Sequence, residues 1–240
     1  MAALRLGLFA DSHYSDREIS CRTRRPSLSY RKIGEAMRAF AAAGADAAVI
    51  LGDLVDACRD RSSDRAELER VGRLITSFRL PVYCLRGNHD CDNFTAHDFY
   101  AISGLAEPPF SAPAGEGRVM IFLDANFRAD GRRYLPHAVD WTDSSLPQED
   151  VERLRRELAR SDVGEATVFI HQRLDGCDDE RYNIENSREI REILESSGKV
   201  RRVFQGHYHK GDLRTVNGIE YVTLAAMCEG EENSYTITEI

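Results

Sequence analysis

Short apolar runs alternate along the chain with segments whose apolar residues recur at helical spacing. Leu4–Ala10, Ala47–Leu51 and Val82–Leu85 are apolar runs of strand length, and the helical segments 28–43 and 64–79 separate them. Such alternation is typical of a mainly parallel sheet whose faces are covered by helices. The pattern therefore predicts an α/β fold.

The second half of the chain continues the alternation and ends in strands. Strands are predicted at Val119–Leu123, Thr167–Ile170, Val200–Phe204, Leu213–Val216, Ile219–Leu224 and Ser234–Glu239, and helices near 94–103, from 147 and over 187–196. Asn217-Gly218 between two strand runs is a strong hairpin signal and indicates a second, mixed sheet. Because no linker or repeat interrupts residues 1–240, we expect a single domain.

Composition and charge exclude several classes of protein. The chain is 42% hydrophobic and 30% charged, which is typical of a globular protein and not of a disordered one. Its apolar runs are shorter than the ~18 residues of a membrane helix. The net charge of −8 disfavours a nucleic-acid polymer as a partner. We expect neither a membrane nor a nucleic-acid partner, and the sequence does not indicate an oligomeric state.

The cysteines indicate a reducing compartment. Leu4–Ala10 leads into Asp11 without the cleavage context of a signal peptide. The six cysteines are scattered, without a C-x-x-C pair, at positions 21, 58, 84, 91, 177 and 228. In a chain without an export signal, such cysteines are expected to be reduced thiols, so the cytoplasm is the expected location.

Polar residues follow five of the predicted strands at the point where each strand ends. They are Asp11-Ser12-His13, Gly52-Asp53, Gly87-Asn88-His89-Asp90, His171 and Gly206-His207-Tyr208-His209. Of the seven histidines in the chain, all but His97 and His137 lie in these turns. Parallel strands end on the same side of their sheet, and α/β proteins build their sites there. We expect these side chains to meet in one cleft and to bind metal.

The residue types indicate which metals would bind. Imidazole and carboxylate ligands without thiolates are typical of divalent ions of the Mn, Fe, Zn or Co group and not of a structural zinc site. Within this group, manganese is the expected metal. The ligands are too many for one ion and suit two, with Asp53 as the bridge. Two such ions hold the attacking and leaving oxygens of an in-line displacement, which predicts chemistry at phosphorus.

In order and rough spacing, these motifs resemble the calcineurin-like metallophosphoesterases over residues 4–224. The resemblance implies a four-layer α/β-β/α sandwich, with two mixed β-sheets flanked by helices. It also implies two ligand sets, which are Asp11, His13, Asp53 and His209 for one ion and Asp53, Asn88, His171 and His207 for the other. By the same resemblance, His89 protonates the leaving oxygen and Asp90 orients the His89 imidazole, a role that suits a histidine near neutral pH.

The expected function is hydrolysis of a small phosphodiester or a nucleoside-diphosphate-linked compound by a metal-bridging hydroxide. Tyr14 with Thr23-Arg24-Arg25 resembles the branch that contains ADP-ribose and CDP-alcohol diphosphatases. His13 is similar to the residue that cyclic-nucleotide phosphodiesterases carry at this position. Two alternatives are a phosphomonoesterase, including a protein phosphatase, and a non-catalytic interaction protein with the same fold.

Substrate contacts are predicted in two segments. The apolar residues of 124–146 recur at neither helical nor strand spacing. Such a stretch inside a compact domain is typical of a functional loop, and we expect this one to cover the substrate. The candidate contacts are Arg24, Arg25, Arg132 and Tyr134. A guanidinium can fork onto a phosphate, and an aromatic ring can stack on a base. The alternatives are solvated arginines and, for Trp141, an anchor of the loop to the core.

Overall fold

The computed structural model describes residues 3–18, 20–21, 23–56 and 61–240. The strands are β1 (Arg5–Phe9), β2 (Ala47–Leu51), β3 (Val82–Leu85), β4 (Ser111–Pro113), β5 (Arg118–Leu123), β6 (Glu165–Ile170), β7 (Val200–Gln205), β8 (Lys210–Val216), β9 (Ile219–Ala225) and β10 (Thr236–Glu239). The helices are α1 (Pro26–Ala42), α2 (Arg61–Thr76), α3 (Asn88–Asn93), α4 (Ala96–Ser103), α5 (Gln148–Ala159) and α6 (Ser187–Ser197), with a 3₁₀ turn at Glu180–Tyr182.

The strands form two mixed sheets. The first has the order β10-β1-β2-β3, in which β10 runs antiparallel to β1 and the other pairs are parallel. The second has the order β4-β5-β6-β7-β9-β8, with antiparallel pairs at its two edges. Asn217 and Gly218 have φ of 49° and 83° in the β8–β9 hairpin, as a two-residue turn between twisted strands requires. The predicted hairpin is confirmed.

The two sheets pack face to face between helices. An apolar layer joins their inner faces through residues such as Leu8, Val49 and Phe169. Tyr83 and Phe122 stack across this layer with ring centroids 4.8 Å apart, and Phe122, Phe169 and Phe204 continue the stack along the second sheet. Two further cores join α1 and α2 to the first sheet and α5 and α6 to the second. The predicted four-layer sandwich is confirmed.

The helix predicted near 94–103 is confirmed as α4, but two local features differ from the sequence prediction. Helix α3 was not predicted; it lies directly before α4 and ends at Asn93, because Phe94 is extended (φ −138°, ψ 145°). Strand β4 is short and was not predicted. Because α3 begins at Asn88, Asn88–Asp90 lie in the first turn of a helix and not in a free loop.

Two further observations concern the environment of the chain. Within the described ranges, no helix combines the length and the apolar character needed to span a bilayer. The cysteines in those ranges are free thiols, of which Cys21 is exposed and Cys84, Cys91, Cys177 and Cys228 are buried. Cys58 lies outside the described residues.

Candidate metal centre

The ends of five strands converge where the two sheets meet. Strands β1, β2 and β3 of the first sheet face β6 and β7 of the second, and the predicted metal-binding side chains follow their carboxyl ends. The structure brings all of the predicted ligands together, namely Asp11, His13, Asp53, Asn88, His171, His207 and His209. The spacing of the sequence motifs therefore reflects a real convergence of side chains.

One group of side chains surrounds His13. Its Nε2 lies 3.2 Å from Nε2 of His209 and 4.0 Å from Oδ1 of Asp11. His209 Nε2 lies 3.8 Å from the same Asp11 oxygen. The structure adds Cys228 to this group, with Sγ 3.9 Å from Nδ1 of His209. The sequence did not indicate this neighbour, because the cysteines are scattered along the chain.

A second group surrounds His171. Its Nε2 lies 3.2 Å from Oδ1 of Asn88, and its ring centroid lies 5.0 Å from that of His207. Asp53 belongs to both groups, because its Oδ2 is 3.4 Å from His13 Nε2 and 3.5 Å from His171 Nε2. Its other oxygen, Oδ1, accepts a hydrogen bond from the backbone N–H of His89 at 2.8 Å. The carboxylate is thus fixed with one oxygen between the two groups.

The backbone at the centre is strained in a way that aims these side chains. Asp11, His13, Asp53 and His207 have φ between 41° and 66°, which non-glycine residues rarely adopt. Such conformations persist where the surrounding structure holds them and are concentrated at functional sites. Position 87 requires a glycine for a different reason, because a Cβ there would collide with the Asp53 carboxylate.

Outer hydrogen bonds orient the imidazoles. Nδ1 of His171 lies 2.7 Å from the Leu51 carbonyl, and Nδ1 of His209 lies 2.7 Å from Oε1 of Glu229. An Nδ1–H that donates to an oxygen leaves the Nε2 lone pair free for a metal, which is the usual arrangement around ligating histidines. Both Nε2 atoms point into the groups described above.

Burial sets the protonation of the centre. Desolvation lowers the pKa of His13 and His207 well below the ordinary value and raises that of Asp11. Burial also opposes the charged form of His171, but the Asp53 carboxylate outweighs it and raises the pKa of His171 to about 9. The buried Nε2 of His207 has no hydrogen-bond partner among the residues that the structure describes. Neutral buried imidazoles, one of them with an unsatisfied nitrogen, fit a divalent ion.

The environment of His89 corrects one prediction. Asp90 does not orient this imidazole, because its carboxylate accepts hydrogen bonds from the backbone N–H groups of Leu54, Val55 and Gly87. The carboxylate beside the ring belongs to Asp56, whose Oδ1 is 3.2 Å from His89 Nδ1 and 3.4 Å from His13 Nδ1. Asp56 follows Asp53 by three residues, and nothing in the sequence pattern marks it.

A cleft of about 590 Å³ opens beside the centre. Of the predicted substrate contacts, Arg24 lines it, with Nη1 3.3 Å from Asp56. Arg25, Arg132 and Tyr134 are not among the described residues that line it. Arg132 is 83% exposed beside Asp130, and the Tyr134 hydroxyl donates to backbone carbonyls within its own loop.

Aromatic side chains form one wall of this cleft. Trp141 and Tyr182 each lie against the ring of His207, at centroid distances of 5.4 and 5.3 Å. Tyr208 packs on Tyr182 at 5.0 Å. We call Trp141, Tyr182 and Tyr208 the aromatic wall. Tyr208 lies inside a motif found in the sequence, whereas nothing in the sequence pattern marks Tyr182.

Comparison with known proteins identifies the family. The sequence model described as calcineurin-like phosphoesterase matches residues 4–211. The chain belongs to this family. The family implies two divalent metal ions, for which the described residues supply candidate ligand groups.

Individual relatives carry different names. The chain is 26% identical to the 3',5'-cyclic adenosine monophosphate phosphodiesterase CpdA of Haemophilus influenzae, over 76% of this chain and 61% of that protein. It is 28% identical to the serine/threonine-protein phosphatase CPPED1 of Mus musculus, over 75% of this chain and 58% of that one. The chain therefore spans about three-fifths of the length of these relatives.

A solved structure shares the fold over nearly its whole length. The dimetal phosphatase LOC 393393 of Danio rerio superposes with a TM-score of 0.84, covering 99% of this chain and 93% of that one. The sequence identity is 19%, so the likeness concerns the fold alone.

Proposed function

We propose that the chain is a binuclear phosphodiesterase that hydrolyses a small phosphodiester or a nucleoside-diphosphate-linked compound. The observation that carries the proposal is Asp53 Oδ2, which lies 3.4 Å from His13 Nε2 and 3.5 Å from His171 Nε2. One oxygen within reach of two imidazole groups suits a carboxylate bridge between two ions. The cleft of about 590 Å³ beside it has the size of a small-molecule site.

Each ion has its own proposed ligands. The first ion takes Asp11, His13, Asp53 and His209, and the second takes Asp53, Asn88, His171 and His207. Manganese remains the preferred metal, because nitrogen and oxygen ligands suit the Mn, Fe, Zn and Co group alike and availability then decides. The cytoplasm remains the predicted location on the ground of the free thiols.

The residues of the chain divide the catalytic work. Two divalent ions in the centre would supply Lewis acidity and lower the pKa of a water nucleophile. His89 lines the cleft and donates a proton to the leaving oxygen, while Asp56 positions its ring from Nδ1. The peptide N–H of His89 holds Asp53, so the acid and the bridge share one anchor.

The aromatic wall supports a substrate with a planar group. It adjoins His207, so a planar substituent of a phosphate held at the centre would lie beside Trp141 and Tyr182. A base stacked on aromatic side chains gains about 1–3 kcal/mol. This surface favours a nucleotide over an aliphatic ester as the substrate.

The runner-up is a phosphomonoesterase, which the relatives named serine/threonine-protein phosphatase favour. The non-catalytic alternative is disfavoured, because the full ligand set and His89 are all present at the centre.

The manganese-loaded protein should hydrolyse bis(4-nitrophenyl) phosphate faster than 4-nitrophenyl phosphate, as measured by release of 4-nitrophenol. The reverse order would establish the monoesterase.

Asp53→Asn should weaken both metal sites together, because the shared oxygen serves both imidazole groups. We expect the bound manganese, counted by calorimetric titration, to fall from two equivalents towards none at micromolar metal. Asp130→Asn, which changes an exposed loop carboxylate beside Arg132, is the control and should retain both. Loss of a single equivalent would contradict the bridge.

His89→Ala should lower kcat by about 10²–10⁴-fold for a diester with a poor alkyl leaving group, because such an oxygen needs a proton to depart. With 4-nitrophenolate as the leaving group, the loss should be much smaller, and metal content should not change. His97→Ala, which removes an exposed histidine of α4, is the matched control. An equal loss for both leaving groups would argue against the acid role.

Trp141→Ala should lower kcat/KM for a nucleotide diester by about 5- to 150-fold, the equivalent of a lost stacking interaction. Cyclic AMP and ADP-ribose serve as the nucleotide substrates, with glycerophosphoethanolamine as an aliphatic diester that should be unaffected. Trp141→Phe keeps an aromatic face and should retain most of the activity. A parallel loss on the aliphatic diester would mean that Trp141 supports the loop and not the substrate.

A further inference from the structure

Lys32 is a buried cation on the inward face of α1. Its Nζ donates hydrogen bonds to the carbonyls of Met227 at 2.8 Å, Gly230 at 3.0 Å and Glu229 at 3.3 Å. A buried ammonium group is tolerated where its protons are used in this way. All of these acceptors belong to one short segment, residues 226–230, which follows β9.

Segment 226–230 is hydrogen-bonded through its backbone to the backbone of two residues of the metal centre. The N–H of Cys228 donates to the carbonyl of Asp11 at 3.0 Å, and the N–H of Ala226 donates to the carbonyl of His209 at 2.9 Å. The segment also carries Glu229, whose Oε1 lies 2.7 Å from Nδ1 of His209. One segment thus fixes the backbone of Asp11 and both the backbone and the ring of His209.

The other side of the centre has different supports. His171 is oriented by the Leu51 carbonyl, at the end of β2. Asn88 lies in the first turn of α3, with its neighbour His89 bonded to Asp53. The three hydrogen bonds of Lys32 Nζ to described residues all go to segment 226–230, on the other side of the centre.

We propose that Lys32 is a positioning residue for the first ion alone, acting through segment 226–230 on Asp11 and His209. The inference rests on the ligand assignment in the proposed function. The three carbonyl contacts hold the segment against α1, and the segment holds Asp11 and His209 in register with each other. Without the ammonium group, the segment keeps its backbone hydrogen bonds to Arg25, Ala10 and Asp11 but loses its three hydrogen bonds to Lys32, so Glu229 holds the His209 ring less firmly.

The test is a calorimetric titration of the purified full chain with Mn²⁺ alone. His209→Ala and His171→Ala identify which of the two binding steps belongs to which side. Lys32→Met should weaken the step lost in His209→Ala by about 10- to 100-fold, as removal of an outer hydrogen-bond partner commonly does. The step lost in His171→Ala should be unchanged.

Lys199 provides a matched control. Its Nζ also donates to backbone carbonyls, those of Leu158 at 2.6 Å and Arg160 at 2.8 Å, at the end of α5 and away from the centre. Lys199→Met should therefore lower thermal stability without changing either binding step. An equal weakening of both steps in Lys32→Met, or the same change in Lys199→Met, would overturn the proposal, because it would reveal a purely structural role.

A second variant keeps the proposal testable if Lys32→Met does not fold. Glu229→Ala removes the oxygen that accepts from His209 Nδ1, at the other end of the same path, and it should weaken the same step selectively. Where Lys32→Met folds, the double variant should lose less affinity than the sum of the two single losses, because the two residues act along one path. Unchanged affinity in Glu229→Ala would overturn the proposal. A wild-type chain that binds fewer than two ions would instead refute the binuclear site itself.

Discussion

The buried Asp53 carboxylate is the interaction on which the rest of the centre depends. Burial alone would raise its pKa, but His171, His89 and His13 lower it well below the ordinary value, so the group is an anion in the interior. A charge in such surroundings persists only where partners and hydrogen bonds compensate its desolvation. Those partners come from both sheets, and the anion therefore requires that the sheets meet as they do. The stacked rings of the layer between the sheets hold the two sheets in this arrangement; they belong to Tyr83, Phe122, Phe169 and Phe204.

Around this anion, the backbone does much of the orienting. The Leu51 carbonyl sets the His171 ring, the peptide N–H of His89 sets Asp53, and three peptide N–H groups surround Asp90. Backbone groups at strand ends are held by the sheet ladders, so they lose little freedom when they serve a site. This explains why strained φ values at Asp11, His13, Asp53 and His207 are tolerated. The rigidity of the sheets is transmitted directly to the metal-binding atoms.

The sequence predicts the parts of the molecule that repeat a simple physical pattern. Apolar runs locate the strands, and the polar residues after them locate the candidate ligands, because parallel strands deliver their ends to one edge. It fails where a role depends on packing in three dimensions. Asp56 and Asp90 are both carboxylates near His89 in sequence or space, and only the folded chain shows that Asp56 reaches the ring. Tyr182 lies in a segment whose apolar residues follow no regular spacing. It joins the aromatic wall only because β6 and β7 bring it beside His207.

The candidate ligands and the aromatic wall rest on different elements. The candidate ligands and His89 follow the ends of strands, with Asn88 and His89 in the first turn of α3, whereas the aromatic wall comes from the loops around Trp141 and Tyr182 and from the turn that carries Tyr208. Loops tolerate change far better than the strands that position them. A family built in this way can keep one reaction at phosphorus while its substrates diverge, which agrees with relatives named as a cyclic-nucleotide phosphodiesterase and as protein phosphatases. Arg173 extends the argument, because its guanidinium lies 5.0 Å over the Tyr208 ring and is itself clamped by Asp175 and Asp212. The Tyr208 ring of the wall is therefore held by a buried guanidinium that two carboxylates clamp, which limits the positions that this part of the wall can take.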